Sequence, residues 1–156
     1  MAGLSDVPRP ALIIGAAGAI PFVAGAAAMV VGSPIIALNA YLQLMHYAAV
    51  ILAFIGAVHW GLAMAAGARG ETVTWHWYAG SAVPALIGWL ALGLVMPAAK
   101  AMVLAFGYFA VFMVDLRALD KGWAPDWYKS LRKPLTIVVL LSLGVVIVAV
   151  LWLPRS

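Results

Sequence analysis

The chain has 156 residues, of which 67% are hydrophobic and only 9% are charged. Soluble domains carry about 25% charged residues, so this composition excludes a soluble globular protein and indicates a chain that uses lipid as its solvent. The absence of cysteine excludes disulfides and thiolate chemistry, and the net charge of +4 is too small to indicate nucleic acid binding.

Five segments are long and apolar enough to cross a bilayer, which requires about 20 residues in a helix. In chain order they cover residues 10–31, 41–66, 77–96, 98–119 and 134–153. Only helices fit, because lipid cannot hydrogen-bond to the backbone and no alternating barrel pattern occurs. We therefore predict an all-α, polytopic membrane protein with one domain, residues 1–156, folded as a compact bundle of five transmembrane helices. We expect the first segment to be retained and not cleaved as a signal peptide.

The first and third predicted spans are rich in small residues, among them Gly15, Gly18 and Gly88. Small residues let helices approach closely, which matters in lipid because packing has to drive their association. Pro21 and Pro84 lie inside these spans, where the missing N–H predicts a kink in each helix.

The second span contains the sequence AFIGAVHWGLAM, in which His59 and Trp60 interrupt an apolar run. Helical spacing places His59 on one face with Gly56 and Ala63, so its side chain is predicted to face the bundle. An ionisable residue in the membrane needs a partner, and Asp115 of the fourth span lies at a similar depth. We take His59, Trp60 and Asp115 as a candidate intramembrane polar site. Either His59 fixes the packing, or it handles a proton or a ligand.

Other chemistry is sparse in the sequence. It contains no glycine-rich phosphate loop, no HExxH, no serine elbow and no acidic cluster for a metal. His46 and His59 lie about 140° apart around a helix, which disfavours a pair of haems. We therefore predict no catalytic residue, no metal site and no cofactor, and the pattern favours a non-enzymatic role.

The segment 120–133, DKGWAPDWYKSLRK, combines aromatic and basic residues. Pro125 suits the start of a short helix, and Pro134 is predicted to open the last span. We predict a short interfacial helix before that span, with aromatic rings at headgroup depth and cations on anionic lipid. The residues predicted to contact lipid or a partner protein are Trp123, Trp127, Tyr128, Lys129, Arg132 and Lys133.

Lysine and arginine are shared unequally between the two sides of the predicted bundle. With the N-terminus inside, the inner side carries Arg9, Arg69, Arg117, Lys121, Lys129, Arg132 and Lys133, and the outer side carries Lys100 and Arg155. Cytoplasmic loops are the basic ones. The distribution predicts a bacterial inner-membrane protein with a cytoplasmic N-terminus and a periplasmic C-terminus.

Three stretches, AVILAFIGAVHWGLAM, SAVPALIGWLAL and PDWYKSLRKPLTIVVLLSL, together resemble the transmembrane protein 69 family. This is a group of bacterial and mitochondrial inner-membrane proteins with no established activity. The resemblance covers nearly the whole chain and implies a polytopic inner-membrane protein of about five spans. The seven tryptophans also suggest the tryptophan-rich sensory proteins, which bind tetrapyrroles and sterols, but the aromatic-proline signature of that family is missing.

Two functional hypotheses follow. The first is an accessory, assembly or interaction protein of a larger inner-membrane complex, or a homo-oligomer, with membrane lipids but no nucleic acid among its partners. The alternative is a membrane protein that handles a proton or binds a small molecule (a quinone, a tetrapyrrole or a lipid) at the intramembrane site around His59.

Overall fold

The computed structural model of the protein describes residues 4–152. After a 3₁₀ turn at Leu4–Asp6, the chain forms five helices and, within the described residues, no strand. They are α1 (Arg9–Val31), α2 (Pro34–Ala68), α3 (Trp75–Gly93), α4 (Pro97–Asp120) and α5 (Asp126–Trp152). The predicted all-α helical bundle is confirmed. Two residues used in the predictions, Leu153 and Arg155, lie outside the described residues.

Four of the helices, α1, α2, α4 and α5, are long and apolar enough to cross a membrane. The remaining helix, α3, has 19 residues and begins with the polar aromatic turn Trp75-His76-Trp77-Tyr78, which lowers its mean hydropathy. Its assignment as a transmembrane span stays a prediction. Large apolar side chains such as Phe54, Trp89 and Phe106 face outwards on the bundle, as lipid requires and water would disfavour.

The helix ends follow from proline and glycine. Pro34 and Pro97 each occupy the first turn of a helix, where the missing N–H costs nothing. Gly70 and Gly122 follow the ends of α2 and α4 with positive φ angles of 83° and 69°. Each gives the same C-cap, because the next residue's N–H donates back to the helix, Glu71 to Ala66 and Trp123 to Ala118.

The basic segment is helical from Asp126, and from there it runs without a break into the last span as the single helix α5. Pro134 therefore lies inside a helix and does not open one, contrary to the sequence interpretation. A proline in a helix removes one backbone hydrogen bond, and burial of the flanking turns on the bundle offsets that loss. Leu131, Arg132 and Thr136 are buried on either side of it.

The bundle is built around α2. This helix packs against α1, α3 and α4, while α5 packs against α1 and α4, so that α1, α2, α4 and α5 form a ring and α3 lies outside α2 and α4. The largest buried side chains of the apolar core come from all four ring helices, among them Phe22, Met45, Leu52, Tyr108 and Leu143.

The close crossing of α2 and α3 requires a glycine. A Cβ at Gly56 would lie 2.6 Å from the backbone oxygen of Ser81 and 2.9 Å from Pro84 Cγ. Gly56→Ala is therefore expected to push the two helices apart and to lower the free energy of unfolding by about 1–3 kcal/mol, the usual cost of overpacking. Denaturant titration in detergent micelles measures this loss. Gly61→Ala on the same helix is the control, because a Cβ there meets nothing within 4 Å; equal stability of both variants would contradict the close crossing.

Candidate functional site

Asp115 of α4 is the centre of a buried polar cluster. Its carboxylate accepts three hydrogen bonds, from His59 Nε2 at 2.9 Å and the Tyr128 hydroxyl at 3.0 Å on Oδ1, and from Arg132 Nε at 2.7 Å on Oδ2. Because a carboxylate only accepts, Nε2 of His59 carries the proton. The donors come from α2 and α5, so the cluster joins three helices of the ring.

The structure brings His59 and Asp115 together. His59 lies on the packed face of α2 with Gly56 and Ala63, as its spacing predicts, and the contact of α2 with α4 places it against Asp115. A buried carboxylate is costly unless it is paired and hydrogen-bonded. Here the cation of Arg132 and three donors meet that requirement, so Asp115 is fully satisfied.

Two polar atoms of the same region have no hydrogen-bond partner among the described residues: Arg132 Nη2 and Thr136 Oγ1. Arg132 is only 8% exposed and Thr136 only 4% exposed. They lie four residues apart on α5, one helical turn, and therefore on the same face. Buried polar groups of this kind are normally satisfied, so an unsatisfied pair requires an explanation.

Arg132 and Thr136 both line a cavity of about 650 Å³. It lies between α1, α2 and α5 and is lined mainly by apolar side chains. Its polar wall is formed by Tyr47, Tyr108, Tyr128, Arg132 and Thr136. This volume falls within the range of small-molecule sites, roughly 300–1,000 Å³.

The three tyrosines of the wall already use their hydroxyl hydrogens. Tyr47 donates to the backbone oxygen of Gly18 at 2.9 Å, Tyr108 to that of Ala48 at 2.8 Å, and Tyr128 to Asp115. Free donor capacity in the wall is therefore concentrated at Arg132 and Thr136. What the site can do chemically is donate hydrogen bonds to an acceptor placed in an apolar cavity.

The remaining member of the predicted intramembrane site lies elsewhere. Trp60 is 48% exposed, and its ring packs edge-on against Tyr78 of α3 with centroids 5.2 Å apart. Consecutive residues point about 100° apart on a helix, so His59 and Trp60 cannot share one buried face. The structure thus joins His59 to Asp115 and leaves Trp60 on the outer surface.

Two of the residues predicted to contact lipid or a partner, Tyr128 and Arg132, lie instead on the buried Asp115 cluster. A third, Trp123, is buried as well. Its indole N–H donates to the carboxylate of Glu71, and its ring lies 4.6 Å from that of Trp77. This contact joins the C-terminal ends of α2 and α4 to the N-terminal end of α3.

The other three residues of that set, Trp127, Lys129 and Lys133, lie at the surface, Trp127 half-buried and both lysines exposed. Their contact with lipid or a partner stays a prediction.

Sequence reasoning missed the face of α5 that carries Tyr128, Arg132 and Thr136. Their spacing of four and four residues was a usable signal, since it places three polar side chains on one side of a helix. A proline normally marks a helix boundary, so Pro134 separates Thr136 from the other two in the sequence pattern although all three lie on one helix. Among residues 4–152, no group of three histidine or acidic side chains could hold a metal ion.

Comparison with known proteins gives one family and no solved structure. A family model described as "Protein of unknown function (DUF3429)" matches residues 7–148. Transmembrane protein 69 of Xenopus tropicalis is 38% identical over 141 residues, which cover 90% of this chain and 54% of that protein. Transmembrane protein 69 of Mus musculus is 33% identical over 148 residues, with 93% and 58% covered. The chain thus spans about half the length of the curated relatives it matches. No solved structure matches.

Proposed function

Because the chain belongs to the transmembrane protein 69 family, whose shared domain carries no assigned activity, we propose its function from the site: it is a membrane protein that binds a lipophilic small molecule in the cavity between α1, α2 and α5. The family expected from the sequence is confirmed. Binding at a polar site near His59 develops the second sequence hypothesis, with Arg132 and Thr136 as the groups that meet the ligand.

One observation carries this proposal. Arg132 and Thr136 line an apolar cavity, and neither Arg132 Nη2 nor Thr136 Oγ1 has a hydrogen-bond partner among residues 4–152. Leaving a buried donor unsatisfied costs about 1–3 kcal/mol, and more for a charged group. An acceptor on a bound molecule would remove this cost for both atoms at once, and the apolar wall would bury the rest of that molecule.

The cavity is reached from the side of the bundle. Ile14 of α1 and Phe54 of α2 both line it, and both are largely exposed on the outer surface, at 72% and 66%. Since that surface faces lipid, the ligand would come from the bilayer and not from water. This favours a molecule that already partitions into membranes.

Within this proposal, His59 and Asp115 are positioning residues. Asp115 holds Nε of Arg132 at 2.7 Å, and His59 and Tyr128 donate to Asp115, so the guanidinium is held in place at the cavity that Arg132 lines. A site held in this way binds without reorganising its own charges. Handling of a proton by His59 stays a prediction.

We also propose the inner membrane as the location, with the N-terminus on the cytoplasmic side. Support comes from the basic residues Arg69, Lys121 and Lys129, which lie at the ends of α2 and α4 and the start of α5. The contact between Glu71 and Trp123 brings the ends of α2 and α4 together.

An accessory or assembly role in a larger membrane complex, and a homo-oligomer, stay predictions, because every contact described above lies within one chain.

Filling the cavity tests the proposed binding. Gly18 lines it, and a Cβ there would meet only the Tyr47 hydroxyl, at 3.8 Å, so a larger side chain would enter open space. Gly18→Leu is expected to exclude the ligand and to lower by at least about tenfold the lipophile that co-purifies with the protein. Solvent extracts of the purified protein, read by liquid chromatography and mass spectrometry, measure this amount.

Gly61→Leu is the matched control, because Gly61 has open space around it on the exposed side of α2, away from the cavity. It should retain the wild-type amount of lipophile. Equal amounts in wild type and both variants would overturn the proposed function.

A further inference from the structure

We propose that the molecule bound in this cavity presents an uncharged carbonyl oxygen to Arg132 and Thr136, as a quinone or a neutral acyl ester does, and not a carboxylate or a phosphate. The inference rests on the binding site proposed above and names the class of ligand that it takes. It follows from the donors that are free, from the charge balance of the cluster and from the shape of the cavity.

Of the two unpaired groups, the guanidinium of Arg132 can only donate, so it selects an acceptor. A guanidinium has N–H groups and no lone pair to offer, and Nε of Arg132 is already used by Asp115. Nη2 therefore needs an oxygen from the ligand. Thr136, one turn further along α5, supplies a hydroxyl on the same side. A carbonyl oxygen has two lone pairs and can accept from both groups.

The charge of the cluster is already balanced. Among the described residues that line the cavity, Arg132 is the one charged residue, and its guanidinium lies 2.7 Å from the carboxylate of Asp115. The charges of this guanidinium and this carboxylate sum to zero. An anionic head would add a negative charge without a counter-ion in an apolar site, which is strongly unfavourable. A neutral acceptor gains the hydrogen bonds without that cost.

The shape of the cavity fits a head that carries a tail. About 650 Å³ is enough for a ring or an ester group and the first carbons of a chain. The lining at Ile14 and Phe54 reaches the lipid-facing surface, so the remainder of the tail would lie in the bilayer. The polar end of the ligand would then be hydrogen-bonded in the cavity, and its apolar end would lie in lipid.

Binding to the purified full-length chain in nanodiscs tests this assignment with three probes: a benzoquinone with a decyl tail, methyl oleate and oleate. We expect at least one neutral probe to bind about tenfold or more tightly than oleate, and the better of the two identifies the source of the carbonyl. Thr136→Val keeps the shape but removes the hydroxyl, and should weaken the preferred neutral probe about fivefold to tenfold. Ser142→Ala, buried on the same helix but outside the cavity lining, should leave its affinity unchanged.

Asp115→Asn tests the charge argument separately. It removes the negative charge and leaves Arg132 uncompensated, so oleate should then bind more tightly than the neutral probes. Where this variant does not fold, the Thr136→Val comparison decides.

Preference of the wild type for oleate would overturn the carbonyl assignment and leave the proposed binding function standing. Failure of all three probes to bind would also overturn the assignment, while the lipophile content of Gly18→Leu judges the binding function independently.

Discussion

Asp115→Ala is expected to lower the free energy of unfolding by about 3–5 kcal/mol, because it leaves the guanidinium of Arg132 buried without its counter-ion. The same change removes the acceptor of His59 Nε2 and of the Tyr128 hydroxyl. A typical domain is stable by about 5–15 kcal/mol, so a loss of this size removes a large part of the folded population. Denaturant titration of the purified protein in micelles, or the melting temperature in the same detergent, measures it.

Asp120→Ala is the control for this experiment. Asp120 is the last residue of the same helix and is exposed, so its replacement should change stability little. The double variant Asp115→Ala/Arg132→Met removes both charges and should be more stable than Asp115→Ala alone. Equal stability of Asp115→Ala and wild type would show that the buried cluster does not hold the three helices together.

Arg132→Met is expected to cost about 3–5 kcal/mol as well, since the carboxylate of Asp115 then remains buried without a cation. Lys133→Met, at the next position, should have little effect because Lys133 is exposed. The pair of variants separates two accounts of the basic segment. If both cations only contact lipid headgroups, the two substitutions should have similar effects on stability.

The same Arg132→Met variant also removes the free donor Nη2 from the cavity wall. We expect the folded fraction of this variant to carry less lipophile than wild type, while Lys133→Met carries the wild-type amount. Wild-type lipophile content in folded Arg132→Met would show that the guanidinium does not contact the ligand.

The helices of this fold could be predicted from hydropathy, because lipid requires long apolar helices and the short connections between them carry proline and glycine. The pairing of His59 with Asp115 could be anticipated as well. Both are ionisable side chains at a similar depth in the membrane, where such a side chain needs a partner. What the sequence could not supply was which helices touch. The His59–Asp115 pair depends on the contact of α2 with α4, which belongs to the tertiary structure.

Arg132 shows why the rest of the site escaped prediction. In a segment with Lys129 and Lys133, an arginine before the last span has the pattern of an interfacial cation. Its burial depends on the continuity of α5 through Pro134 and on the packing of α5 against α4. Trp60 follows His59 in the sequence, but Trp60 lies on the outer surface while His59 is buried.

In the function proposed here, the cavity between α1, α2 and α5 holds one lipophilic molecule per chain. Native mass spectrometry of the protein released directly from its membrane measures this most simply, as the mass carried by the intact chain. We expect a single bound species of defined mass on the wild type and on Gly61→Leu, and its loss from Gly18→Leu. A bare wild-type chain, or the same bound species on wild type and Gly18→Leu, would contradict it.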